Sequence, residues 1–340
     1  MQYLYVLVSS PGDIYYEQFF LSVTSLKLLM PDANVVLLCD SGTKENLIKK
    51  RSGHERLVSQ TIAVNVPVGM SQVEISRWVK TSMCRHVSGD FLFIDCDTII
   101  TNDLSSISKA EIKFGACLDK HSMIDRHSKG NSIIEKDKQL GFTSYLSNRH
   151  INSGVIFCAD TPETHRLFDR WHELWLFGNS KNTVRDQPSF NMAIYENSAL
   201  FTEMDGTWNC QISFNGLPFL SDSKIIHYFA SDLVQHKSPF LLASDDIFRE
   251  IKETGTIPDK ALGLLKNPRA AFASEVRIVT GENILHVLNS NIFETLLLLR
   301  QKTPSLFGVF NHLGFLGKKI TKSFLVRSSK KKDGGTKYYN

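Results

Sequence analysis

The sequence predicts an open, mostly parallel α/β sheet flanked by helices, followed by a helical C-terminal extension. Two patterns support this fold class. Strand-like apolar runs alternate over the first hundred residues with segments whose apolar residues recur at helical spacing, and strand signals end near residue 244. The chain of 340 residues is also long enough to bury one large core or two smaller ones. We expect an α/β domain over 1–240, a helical extension over 241–317 and a flexible basic tail over 318–340.

The first predicted elements rest on apolar runs and helical spacing between turn signals. Pro31 stops the first helix, and Ser71 with Glu74 three residues later has the pattern of a capping box. The strand over 91–94 has no period-2 break, which is typical of a central strand buried on both faces. The predicted elements here are strands over 3–8, 35–39, 57–66 and 91–94 and helices over 14–30, 43–51 and 71–87.

A long polar segment over 119–148 interrupts the pattern. A stretch of this length without a clear period predicts a functional or mobile loop, and we expect His121 and His127 within it to be solvated. After it, Thr161 before Pro162 has the pattern of a helix start. The remaining predicted elements are strands over 114–118, 150–158 and 225–229, a helix over 162–177, a helix opened by residues 185–191, and only helices after 244.

Composition limits the class of protein. The six cysteines form no CxxC pair and no zinc spacing, which indicates a reducing compartment. The N-terminal apolar run is short and lacks a basic start, unlike a signal peptide, and no apolar stretch approaches the length of a membrane span. We therefore expect a cytoplasmic protein, with the C-terminal region as a candidate contact with the inner face of the membrane.

The strand over 91–94 runs directly into two carboxylates, Asp95 and Asp97. Residues two apart on a strand share one face, roughly 6.6 Å apart at their Cα atoms. Two anions this close repel each other unless a cation lies between them, and oxygen ligands favour Mg²⁺ or Mn²⁺ over zinc. The alternative is a strand that ends in an Asp-rich turn, in which Asp97 and Thr98 serve only turn chemistry.

Other polar groups are expected at the same edge of the sheet. In open α/β sheets, ligands bind at the carboxyl ends of the strands. The turn over 9–13, Asp40 and the Asp95–Asp97 pair all follow predicted strands. We therefore expect these groups to face one crevice.

Five motifs in order resemble the retaining nucleotide-sugar glycosyltransferases of family 8, which have the GT-A fold. The resemblance covers roughly residues 1–240. Any one of the motifs is weak, but five in sequence are fairly specific. They are an aspartate–x–aspartate motif at 94–98, an Asn-small-Gly-hydrophobic strand at 152–155, an Asp-Gln segment at 186–191, an aromatic-Asn pair at 208–209 and a late histidine at 226–228.

The resemblance implies a site for a nucleoside-diphosphate sugar bound through Mn²⁺ or Mg²⁺. Asp95 and Asp97, with His227 as third ligand, would hold the metal, which neutralises charge on the departing diphosphate. A lone strand histidine also has a structural reading. Asp186 and Gln187 would lie at the anomeric carbon, with Gln187 either a transient nucleophile or a group that only orients the sugar.

The resemblance also assigns residues that bind the donor. Lys80 and Arg77, on the helix before the central strand, match basic positions that contact its phosphate or sugar. Tyr15 or Tyr16 would stack on the base. The full set of implied donor-binding residues is Ser9, Ser10, Asp13, Tyr15, Arg77, Lys80, Asn152 and Lys237.

One motif departs from the family pattern. The late histidine is usually followed by a glycine and then by a lysine that grips the diphosphate. Here Ala230 stands where glycine might sit, and Lys237 follows at a longer spacing. His236 is a competing candidate for the metal-ligand role of His227.

These features predict a metal-dependent transferase that moves a hexose from a nucleoside-diphosphate sugar, with UDP the usual carrier, to a glycan or lipid-linked acceptor with retention of configuration. One alternative is a haloacid dehalogenase-type phosphatase with Asp95 as nucleophile and Asp97 as acid/base. That family usually has its motif on the first strand, whereas three predicted strands come earlier here. A second alternative is a non-catalytic sugar-binding protein on the same fold.

The C-terminal region has two interpretations. Apolar residues and lysines alternate over 306–332, and this segment would suit an anionic membrane surface. The alternative is a helical cap or oligomer interface followed by a basic tail. Between residues 318 and 337 there are eight basic residues and one acid, so the rest of the chain is slightly acidic. Without stacking platforms among these lysines, we expect no nucleic-acid partner.

Overall fold

The computed structural model describes residues 1–127, 130–142, 148–229, 239–274, 287 and 290–317. The chain divides into two units, Met1–Val276 and Arg277–Asn340. The predicted boundary after residue 240 falls inside the first unit, because apolar residues beyond it join the core of the sheet. The predicted tail over 318–340 lies outside the described residues.

The strands of the first unit form two sheets. They are β1 (Gln2–Leu7), β2 (Val35–Asp40), β3 (Gln60–Val64), β4 (Phe91–Ile94), β5 (Thr98–Ile100), β6 (Phe114–Leu118), β7 (Ile151–Cys158), β8 (Phe201–Glu203), β9 (Cys210–Gln211) and β10 (Ile225–His227). The main sheet has the order β3-β2-β1-β4-β7-β6-β8, and a small sheet has the order β5-β10-β9.

The main sheet is mostly parallel, as the sequence predicts. β1 pairs in parallel with β2 and β4, and β2 with β3. β7 is the exception, because it runs antiparallel to both β4 and β6. Since β7 is reversed, its polar first residues lie at the same edge of the sheet as the carboxyl end of β4. This reversal brings the Asn-small-Gly motif at 152–155 next to the aspartate–x–aspartate motif at 94–98.

Helices cover both faces of the main sheet. The helices of the first unit are α1 (Tyr15–Leu29), α2 (Ser41–Asn46), α3 (Gln72–Ser82), α4 (Gly130–Gln139), α5 (Pro162–Ser180), α6 (Gln187–Glu196), α7 (Leu217–Leu220), α8 (Asp245–Thr254) and α9 (Asp259–Leu265). The second unit has its own helix, α10 (Asn291–Lys302). On one face α1 and α8 bury Phe19 and Phe248. On the other, α3, α5 and α6 bury Val79, Trp171 and Phe190.

The start of α3 confirms the predicted capping box. Ser71 Oγ accepts a hydrogen bond from the Glu74 backbone N–H at 3.4 Å, and the Glu74 carboxylate accepts one from the Ser71 N–H at 2.8 Å. Such a cap stabilises a helix by about 1 kcal/mol. It also fixes where α3 begins, and therefore which face of the helix carries Arg77 and Lys80.

Two predicted elements differ from the structure. The predicted helix from residue 43 begins at Ser41, because Asp40 accepts hydrogen bonds from the backbone N–H groups of Gly42 and Thr43 and caps it. The segment over 119–148, predicted as a loop, contains α4. Only Gly130 and Asp137 of this helix are buried, so its sequence has no clear apolar stripe to reveal it.

The second unit contains α10 and a helical stretch over 304–317. No residue of α10 is buried. Phe310, Leu313, Phe315 and Leu316 of the second stretch are between 42% and 56% exposed. Among the described residues, no helix has both the length and the apolar content that crossing a bilayer requires.

Candidate functional site

The candidate site lies where β4, β7 and β10 meet. The Asp95 backbone N–H donates to the Gly154 carbonyl at 2.8 Å, which continues the β4–β7 ladder beyond Ile94. In the small sheet, His227 pairs with Thr98, and the Tyr228 N–H donates to the Asp97 carbonyl at 3.1 Å. These backbone bonds hold both aspartates and the late histidine at one point.

Asp95, Asp97 and His227 each offer one ligand atom, and these atoms lie within 4.8 Å of one another. His227 Nε2 is 3.2 Å from the Asp97 carboxylate. The histidine ring lies directly over Gly154, where an added Cβ would be 2.5 Å from Cε1 of the ring. Glycine is therefore required for this ring position. Two carboxylates and an imidazole are a donor set that fits a divalent cation.

The three side chains perturb one another's protonation. Burial raises the pKa of Asp95, and the charge of Asp97 adds to the increase, while Lys80 opposes it. Burial disfavours the charge of Asp97, but His227 more than offsets this and lowers the pKa of Asp97. Burial also disfavours a charged His227, yet Asp97 raises its pKa. The cluster is therefore an anionic site that attracts positive charge.

A second set of charges adjoins this cluster. Lys80 Nζ donates to both oxygens of Asp95, at 3.1 and 3.3 Å, and lies 3.6 Å from Asp186. Arg77 Nε lies 2.9 Å from the other oxygen of Asp186, and Ser153 Oγ donates to Asp186 at 2.9 Å. Burial opposes the charge of Asp186, but Lys80, Arg77 and Ser153 hold its pKa at about 2. Asp186 is therefore ionised throughout the neutral range.

Gln187 is the first residue of α6, directly after Asp186. The Asn191 amide ties this helix start to β7, since it donates to the carbonyls of Ile151 and Gln187, each at 3.0 Å. The Gln187 side chain is partly exposed. Within the described part of the chain its amide has no hydrogen-bond partner, so it is available to a ligand.

The turn after β1 is closed around Asp13. Its carboxylate accepts hydrogen bonds from Ser9 Oγ at 2.6 Å, from the Ser10 N–H at 2.6 Å and from the Gln72 amide at 2.7 Å. Burial opposes its charge, but these bonds lower the pKa of Asp13. Gln72 begins α3, which also carries Lys80 eight residues later, roughly 12 Å along the helix. One helix thus connects the turn to the charged cluster.

Of the two candidate tyrosines, only Tyr15 is open to a ligand. It is 42% exposed, whereas Tyr16 is completely buried, with the Arg51 guanidinium 5.2 Å from its ring centroid. The prediction that Tyr16 could stack on a base is wrong, because its side chain is on the core face of α1. The remaining candidates Lys237 and His236 lie outside the described residues.

Asn152 is almost completely buried, and its amide binds other side chains. Its nitrogen donates to Asp119 at 2.9 Å, and its oxygen accepts from the Asn209 amide and the Gly154 N–H, both at 2.9 Å. His227 Nδ1 lies 2.9 Å from the Asn209 oxygen. The Asn152 side chain therefore connects to the cluster through Asn209.

The sequence analysis did not predict the buried contacts of several residues in this region. Burial opposes the charge of Asp119, but His127 and other neighbours hold its pKa at about 2. His127 itself is 7% exposed and lies 2.9 Å from Asp119, so its predicted solvation is wrong. His121 is also partly buried and accepts from the Gln211 N–H at 3.0 Å. The position of Asp119 directly after a strand was the signal available.

Arg51 was missed as well. Its guanidinium donates to the Ser10 carbonyl at 2.8 Å and to Ser9 Oγ at 3.2 Å, and it pairs with the buried Glu17 at 3.3 Å. It fastens the turn over 9–13 from inside the protein. It lies in a short polar turn more than 30 residues away, where no local pattern indicated this contact.

Comparisons with known proteins bear on the family and the fold of the chain. The family model described as nucleotide-diphospho-sugar transferase matches residues 30–221, more than half of the chain. The chain has the GT-A fold. It superposes on the galactosyltransferase LgtC, solved in complex with donor and acceptor sugar analogues, with a TM-score of 0.51 and 14% identity, over 77% of this chain and 99% of that one.

Two further solved structures are similar. The bifunctional glycosyltransferase WbbM gives a TM-score of 0.50 at 14% identity, over 78% of this chain and 51% of that one. Mouse xyloside xylosyltransferase 1 gives 0.46 at 13% identity, over 68% of this chain and 98% of that one. A search of curated proteins gives no significant match. At these identities the LgtC and WbbM structures support the fold alone.

Proposed function

We propose a metal-dependent and retaining reaction for this chain, which belongs to the nucleotide-diphospho-sugar transferase family and is a glycosyltransferase. In it a hexose passes from a nucleoside-diphosphate sugar, with UDP as carrier, to a glycan or lipid-linked acceptor. The observation that carries the proposal is the joining of two clusters: the Asp95–Asp97–His227 group and the Lys80–Asp186–Arg77 group share the Lys80–Asp95 ion pair.

The first cluster would hold the leaving group. Its two carboxylates and the histidine suit Mn²⁺ or Mg²⁺, and such an ion would supply the Lewis acidity that stabilises a departing diphosphate. Lys80 places a positive charge beside the same position. Its ammonium group lies between Asp95 and Asp186, so a bound phosphate would compete with these carboxylates for it.

The second cluster would face the sugar. Asp186 is buried and stays ionised throughout the neutral range, so it cannot serve as a general acid near neutral pH. Its charge instead suits stabilisation of an oxocarbenium-like centre. Gln187 follows it with an available amide, which suits a contact with the reacting sugar. Retention requires that the new bond form on the face that the diphosphate leaves, and Gln187 is our candidate for the group at that centre.

The turn over 9–13 would receive the nucleotide base. Its backbone is fixed by Arg51 and by Lys252, which donates to the Asp13 carbonyl at 2.7 Å. Because the turn is ordered before any ligand arrives, binding costs little conformational entropy. Tyr15, exposed two residues beyond Asp13, is the proposed stacking partner.

A sugar-nucleotide screen tests the proposed reaction. Release of UDP from one UDP-hexose should require Mn²⁺ or Mg²⁺ and stop on addition of EDTA, and the anomeric proton coupling of the product by NMR should show retention. Turnover of p-nitrophenyl phosphate without sugar-nucleotide turnover would support the dehalogenase-type phosphatase instead. Donor binding without turnover over a broad acceptor panel would support a sugar-binding protein.

We also propose that the second unit binds an anionic membrane surface from the cytoplasmic side. The helical stretch over 304–317 exposes Phe310, Leu313, Phe315 and Leu316, and the sequence that follows is rich in lysine. Exposed apolar side chains next to basic residues suit acyl chains below anionic headgroups. A lipid-linked acceptor would then be presented to the enzyme at the same surface.

Vesicle sedimentation tests the membrane proposal. The full chain should bind phosphatidylglycerol vesicles more tightly than phosphatidylcholine vesicles. Replacing Leu313, Phe315 and Leu316 by serine should weaken binding at least tenfold, since each large apolar side chain buried contributes about 1.5–3 kcal/mol. Replacing the exposed Leu28 and Leu29 of α1 by serine is the matched control. Equal binding by all three proteins would contradict the proposal.

A further inference from the structure

A continuous chain of buried hydrogen bonds leads from Asp119 to the candidate metal ligand His227. Asp119 accepts from the Asn152 amide, Asn152 accepts from the Asn209 amide, and the Asn209 oxygen faces His227 Nδ1. Each of these three contacts is 2.9 Å long. Asn209 is completely buried, and Asp119, Asn152 and His227 are each at most 7% exposed.

The direction of each bond in this chain is determined by Asp119 and by the Gly154 N–H. An ionised carboxylate only accepts, so the Asn152 side chain must turn its NH₂ group toward Asp119. The Gly154 N–H, which only donates, independently requires the Asn152 oxygen on the opposite side. Asn209 must then donate its NH₂ group to Asn152 and turn its oxygen toward the histidine. The hydrogen-bond partners therefore require these positions of the oxygen and nitrogen in both side-chain amides.

His227 Nδ1 must consequently carry the proton that is donated to Asn209. In the neutral imidazole this leaves the lone pair on Nε2, and Nε2 is the atom that lies 3.2 Å from Asp97 within the three-residue cluster. The ring is also held from two sides: Phe229 stacks on it at 3.9 Å between centroids, and the bare backbone of Gly154 lies beneath it.

We infer that Asp119, Asn152 and Asn209 are positioning residues that set the tautomer of His227, so that Nε2 is presented to a divalent cation. The inference rests on the proposed metal site and extends it to three residues that bind no metal themselves. Partners of this kind fix the orientation of a ligating histidine, and their loss typically weakens metal binding 10- to 100-fold.

The same chain of hydrogen bonds connects His227 to the segment 119–127. The second oxygen of Asp119 lies 2.9 Å from His127 Nε2, and the Asp119 backbone N–H donates to the His150 carbonyl at 2.8 Å. Asp119 is thereby held from both sides. A change in the segment 119–127 would reach the metal ligand through hydrogen bonds alone, without any direct contact.

The Mn²⁺ dissociation constant tests the inference, measured by electron paramagnetic resonance of free Mn²⁺ at fixed UDP. Asn209→Ala should weaken Mn²⁺ binding 10- to 100-fold. Asn209→Asp, which still accepts from Nδ1–H but cannot donate to Asn152, should fall between Asn209→Ala and wild type. Asn179→Ala, which removes an amide bonded to Glu74, is the control and should match wild type. Equal Mn²⁺ affinity of wild type and Asn209→Ala would overturn the inference.

A second measurement needs no variant. Long-range ¹⁵N–¹H correlation spectra of histidine-labelled wild type with Mg²⁺ and UDP should show His227 protonated at Nδ1, with Nε2 shifted by the metal. A proton on Nε2 would overturn the inference even if every variant failed to fold. Absence of any Mn²⁺ binding by wild type would instead contradict the proposed metal-dependent function, so the two failures are distinguishable.

Discussion

Two loops at the carboxyl edge of the sheet both bury charge, and they balance it differently. After β4, Asp95 and Asp97 lie close to Asp186, which directly precedes α6. Among the described residues, Lys80 and Arg77 are the permanent cations that meet these three carboxylates. After β1, Arg51 is matched by Glu17 and by oxygen acceptors of the turn over 9–13. The comparison teaches that buried charge left partly unbalanced indicates a site for a charged ligand, whereas the balanced turn suits a neutral group such as a base.

The largest effect is expected on donor turnover, from a change in the unbalanced cluster that contains Asp97. Asp97→Asn should lower metal-dependent donor turnover about 10³-fold, because a lost metal removes several kcal/mol of transition-state stabilisation. Steady-state kinetics at saturating Mn²⁺ measures this, with circular dichroism to confirm the fold. Asp222→Asn, at an exposed carboxylate, is the control and should keep full activity. Retained turnover in Asp97→Asn would place the metal elsewhere.

A substitution in the balanced turn after β1 should lower the stability of the protein rather than its catalytic rate. Arg51→Met leaves the fully buried Glu17 without its partner, and breaking a buried pair from one side costs about 3 kcal/mol or more. Urea unfolding should show that loss. The double variant with Glu17→Gln should recover a large part of it, since no uncompensated charge remains. If the double variant were as unstable as Arg51→Met, the pair would not be the cause.

Gln187 tests the sugar side of the unbalanced cluster. Gln187→Ala should lower kcat about 10- to 100-fold while the UDP dissociation constant stays unchanged, because the amide is proposed to act on the sugar and not on the nucleotide. Gln139→Ala, at the exposed end of α4, is the matched control. A change in nucleotide affinity alone would reduce Gln187 to a binding role.

The smallest effect is a dependence of stability on acid pH. Asp186 has a pKa of about 2 in the folded protein, below the ordinary value of 3.8. Between these values the unfolded chain binds more protons, so the free energy of unfolding should fall as the pH drops from about 4 to about 2. Asp186→Asn should make this slope shallower by close to one proton. Identical slopes for the two proteins would contradict the low pKa.

The same two loops show what sequence could predict. The alternating elements and the Asp95–Asp97 pair follow from local patterns, because strand and spacing are properties of adjacent residues. The fold class is confirmed, while the binding roles of the individual residues stay predictions. The direction of β7 could not be predicted, because an apolar run does not indicate which way its strand will pair. Arg51 and Asp119 escaped for a related reason: the contacts that tie them to the site, from Arg51 to Ser9 and from Asn152 to Asp119, each span more than 30 residues.

The most direct test of the unbalanced cluster is an anomalous-difference map from crystals grown with Mn²⁺ and UDP. We expect one strong manganese peak within bonding distance of Asp95, Asp97 and His227 Nε2, with the diphosphate on its open side and Lys80 nearby. A manganese peak elsewhere, or UDP bound at this edge of the sheet without manganese, would contradict the assignment of these carboxylates as the anchor for the leaving group.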